Sequence, residues 1–316
     1  MATVMITGGT GMIGTALSEM LAENGYHVII LSRNPQKTAK EHDYRGKPAF
    51  FRSSGNIYYS KWDIDRQYLD PAALSAADYI VHLAGAGVAD KRWTKDRKKE
   101  ILVSRTQSSE VLVKALRAHT NKVRAVVSSS AIGWYGADDG KPFVETDPPA
   151  ADFLGQTCKL WEQSILPVEE LGIRLVRLRT GIVLSDEGGA LMEFRKPLRV
   201  GAAAILGNGE QVISWIHIED LCRIFMHAIE DKSVIGVYNA VAPQPVSNRQ
   251  LTKTLAKRIT NSRHYTLKVP AFVLKTVLGE MSVEVLKSTT VSSSKIEATG
   301  FNFRFPSLEM AIDDLY

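Results

Sequence analysis

Eight residues near the start of the chain have the types and spacing to hold a diphosphate. Thr7-Gly8-Gly9-Thr10-Gly11-Met12-Ile13-Gly14 follows an apolar run and opens an amphipathic one. It satisfies G-x-G-x-x-G at Gly9, Gly11 and Gly14, and G-x-x-G-x-x-G at Gly8, Gly11 and Gly14. Glycine permits a tight turn and a close backbone approach. The first amides of a helix lack carbonyl partners and attract anions. Gly8, Gly11, Met12, Ile13 and Gly14 are therefore expected to cradle the pyrophosphate of a dinucleotide. The second apolar run ends Leu31-Ser32-Arg33, without the acidic residue that would bind the ribose 2′-hydroxyl of NAD. Arg33 can instead pair with a 2′-phosphate, and Ser32 can donate a hydrogen bond to it. NADP is the expected cofactor, ahead of NAD.

Other groups suit a substrate. Arg177, Arg179, Arg195, Arg199 and Trp215 could line an anionic pocket, about half such arginines being structural. Arg92-Trp93 and Ser104-Arg105 are further cleft candidates, and His217 reads as a hydrogen-bonded structural histidine. No metal-ligand constellation appears. Cys158 and Cys222 have neither metal spacing nor the number for a disulfide framework, which points to a reducing cytoplasm. The formal net charge is +5, and its densest cluster runs from Lys91 to Lys99, interrupted by Trp93 and Asp96. A solvated helix face explains that cluster better than a nucleic-acid patch. The oligomeric state is not legible.

Alternating elements must position these groups. Thr3 to Thr7, His27 to Ser32, Tyr79 to Leu83, Ala125 to Ser129 and Arg174 to Leu178 read as buried strands. Ile13 to Asn24, Thr94 to Ala118 and Asp152 to Leu171 carry helical periodicity, with Gly25 and Gly172 as stops and Pro167 breaking a last turn. Residues 34–60, with Pro35, Gly46, Pro48 and Gly55, read as loops with a short strand, and 136–152 as loop. Ile218 to Glu230 and Asn248 to Ile259 read as helices, with Val237 to Ala240 strand-like between them. The fold class is α/β: a Rossmann-type doubly wound parallel sheet with a smaller C-terminal α/β lobe. The division expected is residues 1–180 for the NADP-binding domain and 181–316 for an interwoven lobe covering the ligand edge. Met1 to Ile6 reads as a strand rather than a signal peptide, and no apolar run approaches a membrane span, so a cytoplasmic location is expected.

Further motifs carry a family resemblance. Trp62-Asp63-Ile64, Val81-His82-Leu83-Ala84-Gly85, Ser128-Ser129-Ser130-Ala131 and Trp215-Ile216-His217-Ile218-Glu219-Asp220 resemble segments of extended short-chain dehydrogenases/reductases. Ala131-Ile132-Gly133-Trp134-Tyr135-Gly136, Cys158-Lys159-Leu160-Trp161-Glu162, Arg177 to Leu184, Gly236 to Asn239, Ala242-Pro243 and Gly279-Glu280-Met281 resemble its epimerase-family subgroup. That subgroup has its own C-terminal domain, which residues from about 250 onward resemble. The resemblance implies that Asp63 and Ile64 meet the adenine and that Leu83, Ala84 and Gly85 line the cofactor. It also gives Ser130 the role of orienting a substrate oxygen, and Lys159 that of holding the nicotinamide ribose.

The same resemblance calls for a tyrosine four residues before that lysine. Gly155 stands there, and none of the ten tyrosines has a lysine four residues on. Tyr135 is the first candidate to transfer the proton instead. Cys158, Glu145 and Asp147 are weaker ones, better read as a buried thiol and solvated carboxylates. The expected activity is that of an NADP-binding, epimerase-like oxidoreductase acting at a carbonyl or hydroxyl of a small substrate, such as a nucleotide-sugar. The alternative is a non-catalytic NADP-binding sensor or interaction protein.

Overall fold

The computed structural model describes residues 1–37, 51–52, 56–261 and 263–316. Gly46, Pro48 and Gly55 lie outside the described residues. Seven parallel strands form the central sheet: β1 (Thr3–Thr7), β2 (His27–Ser32), β3 (Ile57–Asp63), β4 (Tyr79–His82), β5 (Ala125–Ala131), β6 (Arg174–Thr180) and β7 (Gly236–Ala240). Their order is β7-β6-β5-β4-β1-β2-β3, with Phe51–Arg52 antiparallel at the far edge. The order reverses between β1 and β4, so a crevice opens there beyond the strand ends.

Alternation along the strands explains the double winding. Val4, Ile6, Val28, Ile30, Val127, Val176 and Leu178 face one core, shared with Leu17, Leu21, Ile224 and Phe225. Met5, Ile29, Leu31, Ile80, Val126 and Leu175 face the other, shared with Leu112, Leu116 and Ile165. The helices that cover these faces are α1 (Met12–Glu23), α2 (Lys95–Ala118), α3 (Phe153–Ile165) and α4 (Ile218–Glu230). Thr94 and Asp152 cap the starts of α2 and α3 by accepting from Arg97 N and Gly155 N. Beyond Ile165 the helix tightens to 3₁₀ over Leu166–Leu171, with Pro167 in its first turn, and Gly172 ends it at φ +72°.

Past Gly181 the chain divides its residues between two cores. Helix α4 packs on α1, and β7 adds the seventh strand beside β6. Ile296 and Phe301 return to the first core. Leu184, Leu191, Trp215, Leu251, Leu255, Leu308 and Ile312 build a separate core for the smaller lobe. Its sheets are short pairs, among them Ala202–Leu206 with Tyr265–Val269 and Ile182–Leu184 with Trp215–His217. Among the described residues, no helix is long and apolar enough to cross a membrane.

Candidate active site

The glycine turn joins β1 to α1 at the point of strand reversal. Gly8 has φ +68°, and a Cβ there would lie 2.8 Å from the Leu83 carbonyl carbon. A Cβ on Gly9 would strike Ile30 of β2, and one on Gly14 would strike Gly8 O and Gly9 Cα. These three glycines are demanded by the protein's own packing. Gly11 is not: its nearest neighbour would be Gly8 O, at 3.5 Å. It caps α1 without a side-chain bond, and the first helical amide bond is Thr15 N to Gly11 O. The amides of Met12, Ile13 and Gly14 precede that bond and have no helical carbonyl partner.

Thr7 ties the β4 end to this turn. Its hydroxyl accepts from Leu83 N at 3.1 Å and Ala84 N at 3.2 Å, and lies 2.8 Å from His82 Nδ1. With both N–H groups accepted, the hydroxyl hydrogen faces Nδ1, which leaves the Nε2 hydrogen for Ser109 Oγ at 3.2 Å. Burial lowers the His82 pKa to about 4, so the ring stays neutral. Gly85 sits against the Arg105 side chain, whose Nη1 donates to Ala86 O and Ile101 O.

At the end of β2, the Ser32 hydroxyl accepts from Asn34 N at 3.1 Å. Arg33, Asn34, Pro35, Gln36 and Lys61 line an open cavity of about 440 Å³. The Lys61 ammonium donates to Arg33 O and lies 4.0 Å from Asp63, which also accepts from Arg66 N. Ile64 O accepts from Gln67 N in the adjoining turn. Sequence reading missed Lys61, whose only signal is the register that sets it beside Ser32.

Below the crevice lies a buried polar network. Ser130 donates to Glu162 Oε1 at 2.7 Å. Arg179, paired with Ser130 across β5 and β6, donates to both Glu162 oxygens at 2.8 and 3.2 Å. Its Nη1 donates to the Tyr135 hydroxyl at 3.0 Å, and Tyr135 donates to Asn239 Oδ1 at 2.7 Å. Tyr135 is 0% exposed, and burial raises its pKa to about 12 despite Arg179. Its phenol is consumed inside the protein. The loop carboxylates are likewise engaged: Glu145 accepts from Asn239 N and Asp147 from Val144 N.

Position 155, where a tyrosine would precede Lys159, is closed. A Cβ there would overlap the carbonyl of Ala150 and lie 2.8 Å from its carbon. Lys159 is half-buried, and its ammonium has no hydrogen-bond or ion-pair partner among the described residues. The side chains of α3 that meet Gly133, just past the Ser130 strand, are Leu154 and Cys158, also four residues apart. Burial raises the Cys158 thiol to about 12. Leu154 and Cys158 thus pack just past the strand end, while Glu162 of the same helix reaches Ser130 itself, a facing that periodicity alone did not reveal.

The other candidates scatter. Arg177 lies 3.8 Å from Glu162 and from Glu169. Trp215 is fully buried and donates to Gln244 O. Arg195 lies over the Tyr316 ring in the smaller lobe, and Arg199 is exposed at the end of the same helix. Arg92 presses on Gly279, while Trp93 packs edge-on to Phe153. Ser104 accepts from Ala86 N. His217 caps α4 with Nδ1, and burial lowers its pKa. Arg97, inside the basic cluster, is buried and donates to Gly87 O and Glu100.

Comparison with known proteins agrees with this arrangement. The model of the NAD dependent epimerase/dehydratase family matches residues 4–241. A domain of unknown function, DUF1731, matches residues 269–315. An epimerase family protein of Staphylococcus saprophyticus is 34% identical over 98% of this chain and 98% of its own length. Epimerase family protein YfhF of Bacillus subtilis is 33% identical over 99% and 97%. The structure of human epimerase family protein SDR39U1 with NADPH superposes at a TM-score of 0.83, with 28% identity, covering 99% of this chain and 98% of that one. The Rossmann order, the glycine turn and these matches place the chain in the NAD dependent epimerase/dehydratase family of extended short-chain dehydrogenases/reductases, with a DUF1731 domain at its C-terminal end.

Proposed function

We propose that this chain binds NADPH in preference to NADH and uses it at a carbonyl or hydroxyl carbon of a small substrate of the nucleotide-sugar class. The observation that carries this reading is Gly11, whose Cβ would meet none of the described residues closer than 3.5 Å, among free helix-start amides. A Cβ there would fill the space a diphosphate needs. The cationic cavity at Arg33 fits a 2′-phosphate, and the human relative was solved with NADPH. A nucleoside-diphosphate sugar epimerase of Corynebacterium glutamicum, 29% identical with a TM-score of 0.74 over 99% of this chain and 58% of that one, supports the substrate class.

When bound, the nicotinamide supplies hydride chemistry. The chain's own residues bind and orient. The amides of Met12, Ile13 and Gly14 hold the diphosphate, and Lys159 reaches the nicotinamide ribose. Ser130 spends its hydrogen on Glu162, so it presents lone pairs to a substrate and accepts from a hydroxyl. We assign Tyr135 a structural role, since its hydroxyl is held between Arg179 and Asn239. No side chain replaces the missing phenol on α3, which favours a second reading: a cofactor-binding sensor without turnover.

Calorimetry of the full chain with NADPH and NADH, followed by a panel of nucleotide-sugars with cofactor absorbance as readout, separates these. Turnover that falls in both Ser130→Ala and Lys159→Ala supports the enzyme. Tight NADPH binding without any turnover supports the sensor. Failure to bind either dinucleotide at millimolar concentration removes both.

A further inference from the structure

We infer that Lys61, together with Arg33, reads the 2′-phosphate and sets the NADPH preference; this rests on the cofactor reading above. Lys61 lies in register with Ser32 across the parallel pair β2 and β3. Adjacent residues in register point to the same face of a sheet. Two residues earlier on the same face, Ile30 and Tyr59 are paired, and both belong to the core that α1 covers. Gly9 of the diphosphate turn packs against Ile30. Lys61 therefore continues the row that carries the dinucleotide turn, one step nearer the open end of the crevice.

Its neighbours give that position a charge. Lys61 and Arg33 flank the same cavity of about 440 Å³. The Lys61 side chain is 45% exposed, and its single hydrogen bond among the described residues is to Arg33 O. An ammonium has three hydrogens, so two remain for a phosphate. The bond to Arg33 O also fixes where the Arg33 chain leaves the strand. Among the described residues, Asp63 is the one carboxylate within ion-pair range of Lys61, at its outer limit of 4.0 Å. Lys61 thus supplies a compact charge and Arg33 a planar fork to one doubly negative group.

The test uses the full chain and direct binding. NADPH, NADH, 2′,5′-ADP and 5′-ADP are titrated into wild type, Lys61→Ala, Lys61→Gln and Lys61→Arg. Loss of one charge-assisted contact at a half-exposed site is expected to weaken NADPH and 2′,5′-ADP about tenfold. NADH and 5′-ADP should change less than about twofold, because nothing removed touches them. Lys61→Arg should keep most of the preference. Lys61→Gln retains a donor for Arg33 O without the charge, and should behave like Lys61→Ala. Equal weakening of phosphorylated and unphosphorylated ligands would overturn the inference, as would full NADPH affinity in Lys61→Gln. A wild type with no preference for NADPH would instead remove the cofactor reading on which it stands.

Discussion

Glu162 is the side chain on which the polar interior depends. It is 4% exposed and accepts from Ser130 and twice from Arg179, with Arg177 at 3.8 Å. Removing one partner of a buried pair leaves an uncompensated charge, at a cost of about 3–5 kcal/mol. Glu162→Ala should lose that much in denaturant unfolding, whereas Lys159→Ala, which breaks no hydrogen bond or ion pair among the described residues, should lose under about 0.5 kcal/mol. His82 gives a pH dependence of definite sign. Its pKa falls from 6.5 to about 4 on folding, so below 6.5 the unfolded chain binds a proton that the folded chain refuses. Stability from this residue is complete above pH 6.5 and is lost progressively as pH falls towards 4. The loss should reach about 3 kcal/mol. His82→Gln should flatten that part of the stability curve, and an unchanged slope would show that the ring titrates alike in the folded and unfolded chain.

The glycine turn separates folding from binding within one element. Gly14→Ala drives a methyl into the Gly8 carbonyl, a clash inside backbone that cannot move away, and should cost about 1–3 kcal/mol or more. Gly11→Ala meets nothing closer than 3.5 Å and should fold normally while losing dinucleotide affinity at least tenfold. Equal affinity in Gly11→Ala would remove the diphosphate from this turn. The same element shows what a sequence can disclose. The turn was legible because its glycines, its strand and its helix are contiguous, and local sterics decide their types. Lys61 was not, because its place beside Ser32 depends on the register of strands separated by some thirty residues of chain. Nor was the closure of position 155: the atom that fills it belongs to Ala150, whose amide is held by Trp134 O. Helix periodicity put Lys159 and position 155 on one face but did not show that Glu162, further along that face, meets Ser130, or that Leu154 and Cys158 pack just past the strand end at Gly133.

At the scale of the whole molecule, the C-terminal end is sewn into the dinucleotide-binding half rather than hung from it. Thr290 is held by Asp138 and Ser292 N by Phe143 O. Lys287 bridges Asp152 and Glu284, at 3.4 and 2.7 Å. Ile296 and Phe301 fill the same core as Leu17 and Phe225. This return of late residues was the least legible part of the chain, since composition after Gly181 suggests a lobe and only tertiary packing shows the reentry of β7 and the tail. The lobe has a core of its own, but helix α4, strand β7, Ile296 and Phe301 from the same stretch of chain are buried in the first core, which couples the two halves. Denaturant unfolding should therefore be a single step. Tryptophans report from both parts, Trp62 in the sheet's second core and Trp215 in the smaller lobe's core. Fluorescence and far-ultraviolet dichroism should give one coincident midpoint. Phe301→Ala should move both traces together by the about 3–5 kcal/mol of a buried phenylalanine. Two separated midpoints, with Phe301→Ala shifting only one, would mean that the lobes fold independently.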